Sequence, residues 1–153
     1  MIWGCMSYNG VGSMTVIEGI MDRFVYMKIL EDNLLPTMEA LQPFTNINRM
    51  LFQQDGDPKH TAIATMQWFR DQGINVMEWP AQSPDLNPIE HLWTLLKKRL
   101  GEHEKMPKGQ QELAERVAAE WKKISVEECR RLIESMPRRC AAVIKARGGH
   151  TKY

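Results

Sequence analysis

The first 19 residues run through two stretches with strand patterning, IWGCMSY and SMTVIEG, separated by Asn9, Gly10 and Gly12. This order predicts two strands joined by a positive-φ turn, a β-hairpin. From Val25 the apolar spacing becomes helical, with Val25 and Ile29, then Leu30, Leu34 and Met38, recurring on one face. Asp22 stands where an N-cap is needed, and Pro36 is expected to kink or interrupt the last turns. After the connector LQPFTNIN, RMLFQQ has strand length, TAIATMQWFRDQG reads as a helix closed by Gly73, and INVMEW is a second strand ended by Pro80. Strand, helix and strand within about 30 residues make a βαβ unit with parallel strands.

The remainder is helical in pattern. Asn87 at the N-cap, Pro88 at the first helical position and Glu90 at the third open a helix through HLWTLLKKRL, and GEHEKMPKG follows as a loop. Leu113, Val117 and Trp121 mark one apolar face of the next helix. A last segment carries Cys129, Leu132, Ile133 and Met136; Pro137 disturbs it, and Ser135 can cap a fresh start through RRCAAVIKA. The fold class is α/β, a single domain with the sheet in residues 1–96 and a helical tail in 97–153, without internal repeats.

Composition narrows the class. With 43% apolar and 25% charged residues among 153, the chain is of ordinary globular composition, which excludes disordered and collagen-like readings. No apolar run approaches the roughly 18 residues of a membrane span, and MIWGCMSYNG lacks the order of a signal peptide, so a soluble intracellular protein is expected. Cys5, Cys129 and Cys140 form no C-x-x-C pair and read as buried thiols. His60, His91, His103 and His150 have no metal-ligand spacing, which argues against a zinc site.

The net charge of +1 conceals a division, because residues 1–96 carry 5 basic and 11 acidic side chains and residues 97–153 carry 15 and 8. The basic tail can attract a polyanion, or can simply be a solvated helix surface. Trp93 and Trp121 lie on apolar helical faces and read as core anchors rather than platforms for stacked bases.

Two acids stand out. Asp55 follows the apolar run in MLFQQDGDPKH, Glu90 lies within WPAQSPDLNPIEHLW, and 34 residues intervene. Ligands of parallel α/β units collect beyond the carboxyl ends of strands, where Asp55 falls, and hard divalent cations take carboxylate oxygens. Local pattern also offers structural roles: a turn for Asp55, a helix cap for Asp57, and a capping box completed by Glu90. Pattern alone favours those roles.

Taken together, WGCMSYNGVG, FQQDGDPKHTA, WPAQSPDLNPIEHLW and the ending SMPRRCAAVIKARGGHTKY resemble the catalytic part of a mariner-type DDE transposase of the Tc branch, over nearly the whole chain. The resemblance implies an RNase H-like mixed sheet flanked by helices, whose three acids bind magnesium or manganese. It also implies a nuclear enzyme that cuts transposon ends and joins the 3′-hydroxyl to target DNA. Asp55 matches the second catalytic acid and Glu90 the third, both as metal ligands, and His60 falls on the motif histidine, either near the metals or buttressing the turn. Lys97, Lys98, Arg99, Arg138 and Arg139 are the candidate DNA contacts.

The family's first acid lies on a central strand preceding the Trp-Gly-Cys hairpin, and Met1 stands two residues before Trp3. The expectation is therefore a site holding two of three acids, weak or absent strand transfer by the isolated chain, and strand edges open to self-association. Two other readings stand beside it: an RNase H-like nuclease that hydrolyses without joining, and a domesticated, non-catalytic module that binds DNA or a protein.

Overall fold

The computed structural model describes residues 1–41, 50–80, 83–149 and 151. The connector LQPFTNIN after its first residue, Arg49 of the strand expected to follow it, Ala81 and Gln82 of the Pro-rich loop, and His150 lie outside the described residues. The chain forms two compact units, one of Met1–Gly4 with Gly12–Ser83 and one of Cys5–Val11 with Pro84–Tyr153.

The N-terminal hairpin pairs β1 (Ile2–Ser7) with β2 (Gly10–Val16). Its turn at Tyr8 and Asn9 is tighter than the Gly-rich link expected, and Gly10 alone of the three link residues has positive φ, at 122°. The Asn9 N–H is taken by Ser7 Oγ at 3.1 Å.

In the first unit, Asp22 caps α1 (Arg23–Ile29) as expected, its Oδ1 accepting from the N–H groups of Phe24 and Val25 at 2.8 and 2.9 Å. The helix then widens into a π-turn over Leu30–Leu34 before α2 (Leu35–Leu41). Pro36 explains the widening, since it has no N–H for the carbonyl four residues back and its ring would clash there. Leu35 donates instead to the Leu30 carbonyl, and Thr37 Oγ1 donates to the Asn33 carbonyl at 2.8 Å.

The βαβ unit is as the pattern predicts. Strand β3 (Leu51–Phe52) runs parallel to β4 (Asn75–Val76), with Leu51 opposite Asn75 and Phe52 opposite Val76. Between them lie a single-turn α3 (Pro58–Thr61) and α4 (Ile63–Asp71). Gly73, at φ 66°, closes α4 while Ile74 N–H reaches back to the Phe69 carbonyl at 2.9 Å. Tyr26, Leu30, Leu34, Met38, Phe69 and Ile74 form the core of this unit, so one helical stripe packs onto Phe69 of α4 and Ile74, three residues beyond its end. The strands of the described residues pair as two two-stranded pieces, β1 with β2 and β3 with β4.

The second unit is built on α5 (Pro88–Gly101), α6 (Gln110–Lys122), α7 (Val126–Glu134) and α8 (Met136–Lys145), after a 3-10 turn at Pro84–Leu86. Leu92, Leu96, Val117, Trp121, Ile124 and Cys129 are buried in it. Trp93 and Trp121 stack with centroids 5.0 Å apart, which fits their reading as core anchors. Three expectations fail here. Leu113 is 41% exposed, Cys140 is an exposed thiol, and Ser135 makes no side-chain cap at the start of α8. Ser135 stays in helical geometry (φ −75°, ψ −17°), and its hydroxyl donates to the Leu132 carbonyl at 2.6 Å. A complete capping box occurs instead at Ser125 and Glu128. Among the described residues, no helix is long and apolar enough to cross a membrane.

Candidate active site

Asp55 lies three residues beyond β3, in the loop leading to α3. Its Oδ1 accepts the Asp57 N–H at 3.1 Å, an Asx-turn, and stands 2.6 Å from His60 Nδ1. An ionised carboxylate only accepts, so Nδ1 carries the proton of this bond. Oδ2 has no hydrogen bond among the described residues, and the side chain is 57% exposed. Asp55 is thus a turn residue through one oxygen and open through the other.

Asp57, the nearest competing carboxylate, is used up. Oδ1 caps α3 by accepting the Lys59 N–H at 3.0 Å, and Oδ2 pairs with the Lys59 ammonium. Burial opposes the charge of Asp57, yet the Lys59 ammonium and N–H outweigh it and hold the carboxyl below its usual range.

His60 is held from behind. Its ring packs on Tyr26 with centroids 4.1 Å apart, and its carbonyl accepts from Gln54 Nε2 at 3.1 Å. Gln54 Oε1 in turn accepts the Tyr26 hydroxyl proton at 2.7 Å. Burial, then the charge of Asp55, push the Tyr26 phenol far above its usual range, so it stays a donor. Thr65, fully buried, donates to the Lys59 carbonyl at 2.8 Å and ties the loop to α4. Neither Tyr26 nor Gln54 stands out in the sequence, where Tyr26 falls in the expected helix but outside its named stripe and Gln54 in the expected strand; a polar Gln next to the acid was the available signal.

Glu90 occupies the third position of α5 but completes no capping box. The Asn87 N–H, which such a box would use, goes to the Pro84 carbonyl at 3.0 Å, and Asn87 makes no side-chain cap. The Glu90 carboxylate is exposed and has no hydrogen bond among the described residues. Among these residues, no group of three or more His, Cys, Asp or Glu side chains is gathered as a metal centre.

The five basic candidates divide. Lys97, Lys98 and Arg138 are exposed. Arg139 is a correction: it is 3% exposed, and its guanidinium is spent on Ser135, Asp85 and His91 inside the second unit. Arg99 is likewise committed, with Nη2 2.7 Å from Glu128 Oε1 and only 24% of the side chain exposed.

Residues 5–126 match the model of the DDE superfamily endonuclease family, a span that includes Asp55, His60 and Glu90. The chain belongs to this family. It is 47% identical to the Tcb1 transposase of Caenorhabditis briggsae over 154 residues, covering all of this chain and 54% of that protein. The chain therefore spans about half the length of the curated relatives it matches. The catalytic domain of Mos1 mariner transposase superposes with a TM-score of 0.86 at 20% identity, over 99% of this chain and 75% of that one. The Mos1 paired-end complex with manganese gives 0.87 at 20% identity, over 99% and 44%. These likenesses establish the RNase H-like fold expected of a DDE family member.

Proposed function

We propose that this chain is part of a DNA transposase catalytic domain, with Asp55 and Glu90 as ligands of magnesium or manganese. The observation that carries the reading is the state of the two carboxylates: Glu90 sits at a helix start without capping it, and Asp55 keeps Oδ2 open while its neighbour Asp57 is consumed. Carboxylate oxygens suit hard divalent cations, so the donor set fits the metal. Such a cation, when bound, supplies Lewis-acid stabilisation of a phosphoryl group and of the attacking and leaving oxygens.

The chain's own residues prepare the site. His60 fixes the rotamer of Asp55 by donating to Oδ1, leaving Oδ2 to face a ligand. Lys97, Lys98 and Arg138 are the exposed cations offered to DNA phosphates, and transposition of genomic DNA would set the protein in the nucleus.

The test uses iron(II) in place of the native cation, with ascorbate and peroxide, so that the backbone is cut beside the ligands. Cuts near residues 55 and 90, suppressed by excess manganese and each lost in Asp55→Asn or Glu90→Gln, are expected. Cutting elsewhere, or cutting indifferent to both substitutions, overturns the assignment.

A further inference from the structure

Arg139 is the only arginine among the buried residues described, yet its contacts bracket Glu90 in sequence. Nη1 donates to the Asp85 carbonyl at 3.0 Å, in the 3-10 turn that leads into α5, and lies 3.1 Å from His91 Nδ1 in the first turn of that helix. Arginine has no acceptor, so His91 Nδ1 receives this bond. Nε donates to Ser135 Oγ at 2.8 Å, which fixes the plane of the guanidinium against α8. Asp85 is held a second time, its Oδ2 accepting from Thr151 Oγ1 at 2.8 Å.

This anchoring acts on a helix start that lacks an N-cap hydrogen bond. Asn87 gives no side-chain cap, and Pro88 has no N–H to contribute. Contacts that hold residues 85–91 from outside the helix therefore bear on the direction of the exposed carboxylate two residues later. The guanidinium does this by joining Asp85, within the turn, to His91, the residue after Glu90, through Nη1 while Nε stays on Ser135; a lysine ammonium, a point charge on a flexible stem, has no second nitrogen to hold that plane.

We infer that Arg139 is a positioning residue for Glu90, orienting the carboxylate toward its ligand from α8. The inference rests on the reading of Glu90 as a metal ligand. Residues that orient metal ligands typically contribute roughly 10–100-fold to affinity.

Arg139→Lys is compared with Leu96→Ala, a core change two turns along the same helix, using the 153-residue chain. Iron-mediated cutting near residue 90, measured relative to cutting near residue 55, is expected to fall about tenfold or more in Arg139→Lys and to hold in Leu96→Ala. His91→Phe, which removes the acceptor and leaves Arg139 in place, repeats the test should Arg139→Lys not fold. A ratio unchanged in the folded variant overturns the inference. Amide hydrogen exchange in metal-free protein separates the two readings. Arg139→Lys or His91→Phe is expected to speed exchange over residues 90–92 about tenfold relative to α6. Faster exchange in a protein that never cuts near residue 90 retains the anchoring and sinks the metal reading of Glu90, and with it the positioning role. Unchanged exchange overturns the anchoring itself.

Discussion

His60 Nδ1 stands 2.6 Å from Asp55 Oδ1, and the two side chains differ sharply in exposure, 14% for the imidazole and 57% for the carboxylate. A partly buried group thus orients an exposed one. Tyr26, from the core stripe of α1, packs on the imidazole, so the packing of the first unit is transmitted to the acid. The route runs from an apolar helical repeat, through one aromatic contact, to the direction of one carboxylate.

Replacing His60 by Ala removes the bond to Oδ1 and leaves Asp55 held only by the Asp57 N–H. The expected result is roughly 10–100-fold weaker manganese binding at Asp55, followed by iron-mediated cutting near residue 55 under manganese competition. Wild-type competition in the variant would reduce His60 to a buttress of the turn.

Tyr26→Phe keeps the ring on His60 and deletes the hydroxyl that Gln54 Oε1 accepts. Gln54 is 8% exposed, so its oxygen loses a partner in a dry site, at a cost of about 1–3 kcal/mol. Urea unfolding measures this. A midpoint equal to that of the parent protein would show that water replaces the hydroxyl.

Much of this architecture is legible along the chain. Asp22 before a helical stripe, Gly73 after one, and two short apolar runs around a helix were enough for the cap, the closure and the parallel β3–β4 pair. What local pattern could not supply was partner choice over distance. Arg139 reads as one more cation in a basic tail, but its partner Asp85 is 54 residues away and a guanidinium desolvated among acceptors no longer serves phosphate. Glu90 errs the other way: its spacing from Asn87 suits a capping box, and only the Asn87 N–H turning to Pro84 releases it. Ser135 failed as a cap because α7 and α8 meet through a residue still in helical geometry.

DNA affinity, if phosphate contacts supply it, divides the basic set by burial. Lys97→Ala with Lys98→Ala is expected to lower the slope of log K against log salt by up to about 0.9 for each contact removed. Arg99→Gln is expected to leave the slope unchanged while lowering stability, since Glu128 loses its partner. A titration series over salt concentration distinguishes them, and an Arg99 effect on slope would return that residue to the DNA face.

Leu51 is 53% exposed although it lies in β3, in a sheet of two strands. An exposed apolar side chain at a sheet edge favours addition of another strand, and a lysine there opposes it. The chain is expected to self-associate on size-exclusion chromatography, with Leu51→Lys shifting it toward monomer. Concentration-independent elution of the parent chain as a monomer would rule this out.

The acid limb of stability should depend on Glu120, which is only 6% exposed on α6. Its Oε1 accepts from Lys123 Nζ at 2.7 Å and lies 3.2 Å from His103 Nε2. The Lys123 bond comes first in holding this carboxyl below its usual range, burial opposes it, and His103 adds to the lowering. A carboxyl depressed in the folded state takes up its proton later than in the unfolded chain as pH falls. The unfolded chain therefore binds more protons in that window, and stability rises with pH across it. The contribution is complete above the ordinary Glu value of about 4.3 and is lost as pH falls through the lower, folded-state value. Urea midpoints measured from neutral pH into the acid range should fall less steeply in Glu120→Gln than in the parent, with the two curves converging at the acid end. Parallel curves would mean that other carboxylates govern acid unfolding.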